Sequence, residues 1–337
     1  MTTRLELDFS TQRLPFAAPF QISGYVFEDV EVVVVTLDNG QHVGRGEASG
    51  VYYLGDDAAA MTCALDAARS AIEAGPSCAE LQTLMPPGGA RNAVDCALWE
   101  LDARRAGKQV WELAGVRSPQ PLVTTFTLSA DDPAVMAERA KAYTQAKSLK
   151  LKLTGDLELD VARVQAVRAV RPEVWLGVDA NQGFMIGELD ALVAAMVAAN
   201  VSLIEQPLSR GCEADLDGYR SPIPIAADES ALSLADVPGL VGRFDVVNIK
   251  LDKCGGLTEG LAMAREARRL GLDIMVGNMI GTSLAMAPAF MLGQLCDVID
   301  LDGPIFLAED RTPGLNYHQG TVWCGEEVWG GRASTPA

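Results

Sequence analysis

The stretch SLKLKLT at residues 148–154 decides the fold. Leucines and lysines alternate with the two-residue period of a strand, so Leu149, Leu151 and Leu153 share one face and Lys150 and Lys152 the other. If the leucine face packs on helices, both lysines point inside. Two ammonium groups are kept in an interior only with acidic partners or for a purpose. An edge strand with its lysines in water is the alternative, since edge lysines are common.

Downstream, strand-like segments end in acids at nearly regular intervals: LGVDANQ with Asp179, LIEQP with Glu205 and IAADES with Asp228. The steps are 26 and 23 residues, and another 22 reach Lys250 in VVNIKLDKCGG. Each step is the length of one strand–helix unit. Val247, Ile249 and Leu251 alternate with Asn248 and Lys250, which sends Lys250 inward; Lys253 lies beyond the strand. Gly255-Gly256 lack a following lysine–serine pair and read as a turn. In VIDLDG, Ile299 and Leu301 face outward and Asp300 and Asp302 inward.

Strands are expected near 123–127, 149–153, 175–179, 202–205, 224–228, 246–250, 274–277 and 298–302. Eight parallel strands with helices between them imply a closed α/β barrel. Leu189, Leu192, Val193, Met196 and Val197 form one face of such a helix, which Asn200 can end. The segment before residue 118 reads differently. Val30 to Leu37 is a β-branched run closed by Asp38-Asn39-Gly40, a hairpin signal, and Val94, Ala97, Leu98 and Leu101 recur at helical spacing. Three regions follow: an α+β cap over 1–118, the barrel over 119–310, and a tail over 311–337 that returns to the cap.

Composition removes several function classes. Acidic residues number 45 against 27 basic ones, a net charge of −18 that repels nucleic acid and anionic membrane surfaces. Ile274 to Cys296 is uncharged, but Asn278, Thr282, Ser283, Pro288 and Gln294 interrupt it, so it reads as a buried strand, a loop and an interior helix rather than a membrane span. No export signal is evident at the amino terminus, and a cytoplasmic location is expected. Seven cysteines without a CxxC pair argue against a disulfide framework or zinc site, and most are expected to be buried.

The chemistry follows from the acids and lysines. Three carboxylates at one rim repel unless a hard cation lies between them, and oxygen ligands without histidine favour Mg²⁺, with Mn²⁺ as a substitute. Both histidines, His42 and His318, fall outside the barrel strands, so lysine is the available base. A metal beside Lys152 and Lys250 suits removal of a proton α to a carboxylate, with Lys150 lowering the pKa of Lys152. Racemisation, epimerisation and elimination all remain open at this point. Inward Asp300 and Asp302 suit a substrate ammonium group; balancing Lys150 or Lys152 is their alternative role.

At these residues the chain resembles the enolase superfamily, in its muconate lactonizing subgroup, with KxK on the second strand, Asp, Glu and Asp ligands, and a second lysine. ARNAVDCALWELDARRAG at 90–107 looks like the helix leading from cap to barrel. NIKLDKCGGLTEG, GNMIGTS and DLDGP look more narrowly like the dipeptide epimerases of L-Ala-D/L-Glu type. The resemblance implies a (β/α)7β barrel of TIM type with an α+β capping domain. It also implies Mg²⁺ on Asp179, Glu205 and Asp228, Lys152 and Lys250 as acid/base pair with Lys150 supporting, and a small dipeptide substrate whose amino terminus meets Asp300 and Asp302. Thr127, Tyr25, Phe27 and Met279 are further candidates for substrate contact. The early loop PFQISGYVFED at 19–29 departs from the family by lacking an arginine for a glutamate side chain, so a hydrophobic or cationic second residue is expected.

Rival readings share parts of this site. An N-acylamino acid racemase or o-succinylbenzoate synthase would keep the same lysines and metal. A Schiff-base aldolase would use Lys250 and ignore EDTA. A barrel that binds Mg²⁺ or a peptide without turnover would have no need of both lysines. A homo-oligomer is compatible with all of these.

Overall fold

The computed structural model of the chain describes residues 4–22 and 25–331. Strands β1 (Glu6–Ile22), β2 (Tyr25–Asp38) and β3 (Val43–Ala48) form an antiparallel sheet in sequence order. The turn from β2 to β3 is closed by its own side chains: the Gly40 N–H donates to Asp38 Oδ1 at 2.6 Å and the His42 N–H to Asn39 Oδ1 at 2.8 Å. Helices Ala58–Glu73 and Gly89–Ala106 cover one face. Val33, Val35 and Leu37 alternate inward there against Met61, Leu65, Val94, Ala97 and Leu101, giving this region a core of its own. Beyond that core β1 and β2 continue as a long hairpin whose register shifts between Pro15 and Phe20. The hairpin is held to the second part of the chain where the Ala308 N–H donates to Pro15 O at 2.8 Å and the Ala130 N–H to Gln21 O at 3.0 Å.

After β4 (Leu122–Val123) come the eight strands of a parallel sheet: β5 (Thr125–Leu128), β6 (Ser148–Lys152), β7 (Trp175–Asp179), β8 (Leu203–Glu205), β9 (Ile225–Ala227), β10 (Val246–Ile249), β11 (Asp273–Val276) and β12 (Val298–Ile299). They neighbour one another in sequence order. Side chains bridge the seam between the end strands: the Leu301 N–H donates to Thr124 Oγ1 at 3.0 Å, Thr125 Oγ1 donates to Asp300 Oδ1 at 2.5 Å, and the Thr127 N–H donates to Asp302 Oδ2 at 2.6 Å. Five of the seven crossovers contain α-helices. Those after β8 and β9 carry only 3₁₀ turns, Glu213–Leu216 and Val237–Leu240. Gly211, Gly218, Pro222 and Pro224 in the first and Pro238, Gly239 and Gly242 in the second explain this, because proline and glycine disfavour a helix interior.

The alternation read from the sequence is realised in the packing. Leu149, Leu151 and Leu153 are fully buried in the outer layer against the helices. Inside the sheet, Leu203, Ala226, Val246 and Met275 form a separate small cluster with Trp175 and Val298. Trp175, Leu203, Val246 and Val298 begin their strands, with Ala226 and Met275 one and two residues further in, so apolar side chains fill the interior toward that end and polar residues occupy the other. The helix Ile186–Ala198 ends before Asn200, which takes a left-handed φ of 52°. The uncharged stretch from Ile274 resolves into β11, a loop and the helix Ser283–Gly293; among the described residues no helix is long and apolar enough to cross a membrane. The seven cysteines are free, and fewer are buried than expected: Cys96, Cys254 and Cys324 are buried, Cys78 and Cys296 half-buried, and Cys63 and Cys212 exposed.

Strands β13 (Asn316–His318) and β14 (Thr321–Trp323) form a hairpin that pairs with β4. Beyond it Trp329 is buried and its Nε1 donates to Arg45 O on β3 at 2.9 Å, so the tail reaches the first sheet. A second tie is Arg91, buried on helix Gly89–Ala106. Its guanidinium donates to Cys254 O at 2.5 Å and Gly255 O at 3.2 Å and pairs with Glu259. Arg91→Ala would leave a carboxylate and several carbonyls without their donor. It is expected to lower unfolding stability by about 3–5 kcal/mol, measurable by urea titration.

Candidate metal and proton-transfer site

The strand ends converge as their spacing requires. Asp179 closes β7, Glu205 closes β8 and Asp228 follows β9 by one residue. One oxygen from each lies within 4.8 Å of the others, and all three side chains are buried. Lys150 Nζ sits beneath them, 2.7 Å from Glu205 Oε2, 2.8 Å from Asp300 Oδ2 and 3.1 Å from Asp179 Oδ2. Lys152 Nζ is 2.6 Å from Asp179 Oδ2, and Lys250 Nζ 2.8 Å from Asp228 Oδ2. Lys152 ends β6 and Lys250 follows β10, four strands apart in a ring of eight, so the two ammonium groups face each other across the carboxylates. Gly277 makes room for this: a Cβ there would stand 3.0 Å from Lys250 Cε and 2.6 Å from Asn248 Oδ1.

The three carboxylates do not ionise alike when only protein groups surround them. Burial and the neighbouring Asp179 push Glu205 up to about 7. Burial opposes ionisation of Asp179 too, but Lys152 and Lys150 hold it down at about 2. For Asp228 burial is outweighed by Lys250 and Lys253, which keep it well below the usual carboxylate range. Lys250 is drawn down by burial, yet Asp228 more than offsets this and holds it well above the ordinary lysine range. An all-oxygen donor set in which one carboxylate is forced toward its neutral form fits a divalent hard cation, whose charge would let all three ionise. The three carboxylates could hold such an ion.

A cleft opens above the cluster. Lys150, Lys152, Asp228, Lys250, Asp300 and Asp302 face it, as do Thr127, Phe27 and Met279. Asp179 and Glu205 lie below its floor. Tyr25 stands beside the cleft rather than in its lining: it is half exposed at the hairpin, stacked on Phe27 at 5.8 Å and edge-on to Tyr52 at 4.9 Å, two residues that line it. Ser23 and Gly24 of the early loop lie outside the described residues. Asp300 already accepts hydrogen bonds from Lys150 and Thr125, while burial and Asp300 push Asp302 up to about 7.

Sequence reading gave no role to several residues that complete the site. Lys253 Nζ is buried and lies 2.5 Å from Asp228 Oδ1, 2.5 Å from Asp228 O and 3.1 Å from Asn248 O. Its signal was a position one helical turn after Lys250, where the helix Leu251–Cys254 returns it to the rim. Asn248 Nδ2 donates to Glu205 Oε1 at 2.7 Å, and Gln206 Oε1 accepts the Asp228 N–H at 2.9 Å. Glu229 and the adjacent Tyr52 and Tyr53 line the cleft. Asn248 shares the inward phase of Lys250 on its strand, but nothing in a two-residue period distinguishes the others from ordinary loop positions.

Comparison with known proteins agrees with the geometry. Residues 5–115 match the family described as mandelate racemase / muconate lactonizing enzyme, N-terminal domain, and residues 134–324 match enolase C-terminal domain-like. An L-Ala-D/L-Glu epimerase of Escherichia coli K12 is 38% identical over 91% of this chain and 96% of its own. An N-acetyl-D-glutamate racemase of a Pseudoalteromonas species is 42% identical over 75% of this chain and 79% of its own. An enolase family member from Agrobacterium tumefaciens with homology to dipeptide epimerases, solved with sodium and L-Ala-L-Glu, is 43% identical. It superposes with a TM-score of 0.93 over 97% of this chain and all of that one. A dipeptide epimerase from Methylococcus capsulatus, complexed with Mg and L-Arg-D-Lys, superposes at 0.88 with 28% identity over 95% of this chain and 96% of its own. By the match of both its parts, and by relatives similar along nearly its whole length, this chain belongs to the mandelate racemase / muconate lactonizing enzyme family of the enolase superfamily.

Proposed function

We propose that the protein is a Mg²⁺-dependent isomerase that epimerises dipeptides by removing and returning the α-proton of the carboxy-terminal residue. The observation that carries this is the pair of lysines, Lys152 and Lys250, facing each other across three buried carboxylates at and beneath the floor of one cleft. On this reading residues 1–118 and the tail 311–337 form the cap and 119–310 the catalytic barrel.

Asp179, Glu205 and Asp228 would hold Mg²⁺ or, in substitution, Mn²⁺. Bound there, the ion would set positive charge against the substrate carboxylate and offset the negative charge that grows as the α-carbon loses its proton. Lys152 and Lys250 reach that carbon from opposite faces. A neutral Nζ on one side takes the proton while the ammonium on the other delivers one, and the centre inverts. Lys150, locked by three carboxylates, keeps their positions and stays protonated: burial lowers its affinity for a proton, but Asp300, Glu205 and Asp179 outweigh that. Asp300 and Asp302 would take the substrate's ammonium end.

The cleft walls support an apolar second residue. Phe20, Phe27, Tyr52, Tyr53, Met279 and Phe306 line it, and among the described residues the cations that face it are Lys150, Lys152 and Lys250. A glutamate side chain would meet no free guanidinium. L-Ala-L-Phe, L-Ala-L-Leu or L-Ala-L-Lys is therefore expected to exceed L-Ala-L-Glu in kcat/KM by at least about tenfold, the scale of one mismatched group in a pocket. Competition assays decide it, and a preference for L-Ala-L-Glu overturns this part.

A second reading is racemisation of an N-acylamino acid. It is favoured by Asp300 already pairing with Lys150 at 2.8 Å and Asp302 with the Thr127 N–H at 2.6 Å, which partly commits the carboxylates meant for an ammonium group. It also agrees with the Pseudoalteromonas relative. Incubating the protein with Mg²⁺ in D₂O against a dipeptide library plus N-acetyl-D-glutamate, with deuterium gain read by mass spectrometry, tests both. Exchange confined to the N-acetyl compound would replace the dipeptide reading, and no α-proton exchange at all would end both.

A further inference from the structure

We infer that Asp252 is a positioning residue that ties the cap loop over the cleft to the barrel turn carrying Lys250. Asp252 is buried at 5% exposure two residues after Lys250, and among the described residues no ammonium or guanidinium lies within ion-pair distance of it. A buried carboxylate without a counter-ion is costly to keep unless its hydrogen bonds serve something. Both of its side-chain hydrogen bonds go to one place. Asp252 Oδ1 accepts from the Ser49 N–H and from the Gly50 N–H, each at 3.0 Å.

Those two amides begin the loop after β3. The loop then closes on itself, the Val51 N–H donating to Asp56 O at 2.9 Å, and between these ends Tyr52–Leu54 make a 3₁₀ turn. Gly50 has a φ of 70°, and a Cβ on it would stand 2.0 Å from Asp56 O, so the loop is tightly folded at the point Asp252 grips. Ser49, Gly50, Tyr52 and Tyr53 all line the cleft. On the barrel side the same short turn carries Lys253, bonded to Asp228. Lys250, Asp252 and Lys253 therefore send one segment's side chains to the floor of the cleft, its roof and a ligand carboxylate.

Since both amides use one oxygen, the role separates geometry from charge. Asp252→Asn keeps an Oδ1 able to accept both N–H groups. Asp252→Leu keeps the volume and leaves both unpaired.

Activity is the arm that rests on the proposed function, and amide exchange is the arm that does not. In full-length protein with Mg²⁺, Asp252→Leu is expected to speed hydrogen exchange in peptides covering residues 49–56 by about tenfold, the loss of a hydrogen bond or two, with β6 and β7 unchanged. KM for whichever of L-Ala-L-Phe and L-Ala-L-Glu the wild type turns over is expected to rise by about the same factor, with kcat changed less. Asp252→Asn restores both. Uniformly faster exchange and a lower Tm with unchanged KM would show a merely structural residue and overturn the proposal, as would unchanged exchange at 49–56. If the wild type turns over neither dipeptide, the functional reading fails while the exchange result still decides the role of Asp252.

Discussion

Lys152→Ala and Lys250→Ala are each expected to lower epimerisation by about 10³-fold, within the range that a positioned acid/base group contributes. The informative result lies in which proton still exchanges. Lys152 ends β6 and Lys250 follows β10, on opposite sides of the carboxylates, so on the proposed function each would serve one face of the α-carbon. A variant lacking one lysine keeps a base for one stereoisomer and has no acid to complete inversion. Each variant should therefore exchange deuterium with only one of the L,L and L,D substrates, and the two should choose opposite ones. Circular dichroism follows inversion, and mass spectrometry or proton NMR follows exchange. Equal residual exchange from both stereoisomers would mean that a single group serves both faces, against this arrangement. Alanine also removes a partner of a buried carboxylate, so folding should be checked by Tm for each variant.

Removing the charge of one carboxylate while keeping its shape has the second largest expected effect. In Glu205→Gln, Lys150 retains Asp179 and Asp300 within 3.1 Å, so the interior ion-pair network survives. The oxygen donor set, however, loses one of its three charges. Mg²⁺ affinity measured by calorimetry is expected to fall by at least about 100-fold, and activity with it, since even outer partners of a ligand are worth 10–100-fold. For the wild type, EDTA should abolish turnover, with Mg²⁺ or Mn²⁺ restoring it. Full activity in EDTA would exclude the metal-assisted route and return attention to Lys250 as a Schiff-base lysine, which borohydride trapping would reveal.

Much of the site was legible in the sequence because its residues obey local rules. The alternation in SLKLKLT assigns two lysines to the inside of a strand, and the near-equal steps to Glu205, Asp228 and Lys250 assign each to the next strand end. The wider match to a family through NIKLDKCGG and DLDGP is a property of sequence as well. Connections were less legible: glycine and proline made two of them 3₁₀ turns where helices were expected. Nor was it legible that Asp302, read with Asp300 as suiting an ammonium group, accepts from a backbone N–H 175 residues earlier.

By itself, then, the sequence determined that three carboxylates and two catalytic candidates among its lysines meet at the carboxyl ends of parallel strands, since strand period and unit length depend only on neighbours along the chain. Tertiary structure decided which oxygen each ammonium holds and that Lys253 doubles the grip on Asp228. It also decided that Asp252 leaves the barrel to hold Ser49 and Gly50. Those contacts depend on loop paths and on how two cores dock, with partners some 200 residues apart for Asp252. No pattern within one element encodes them.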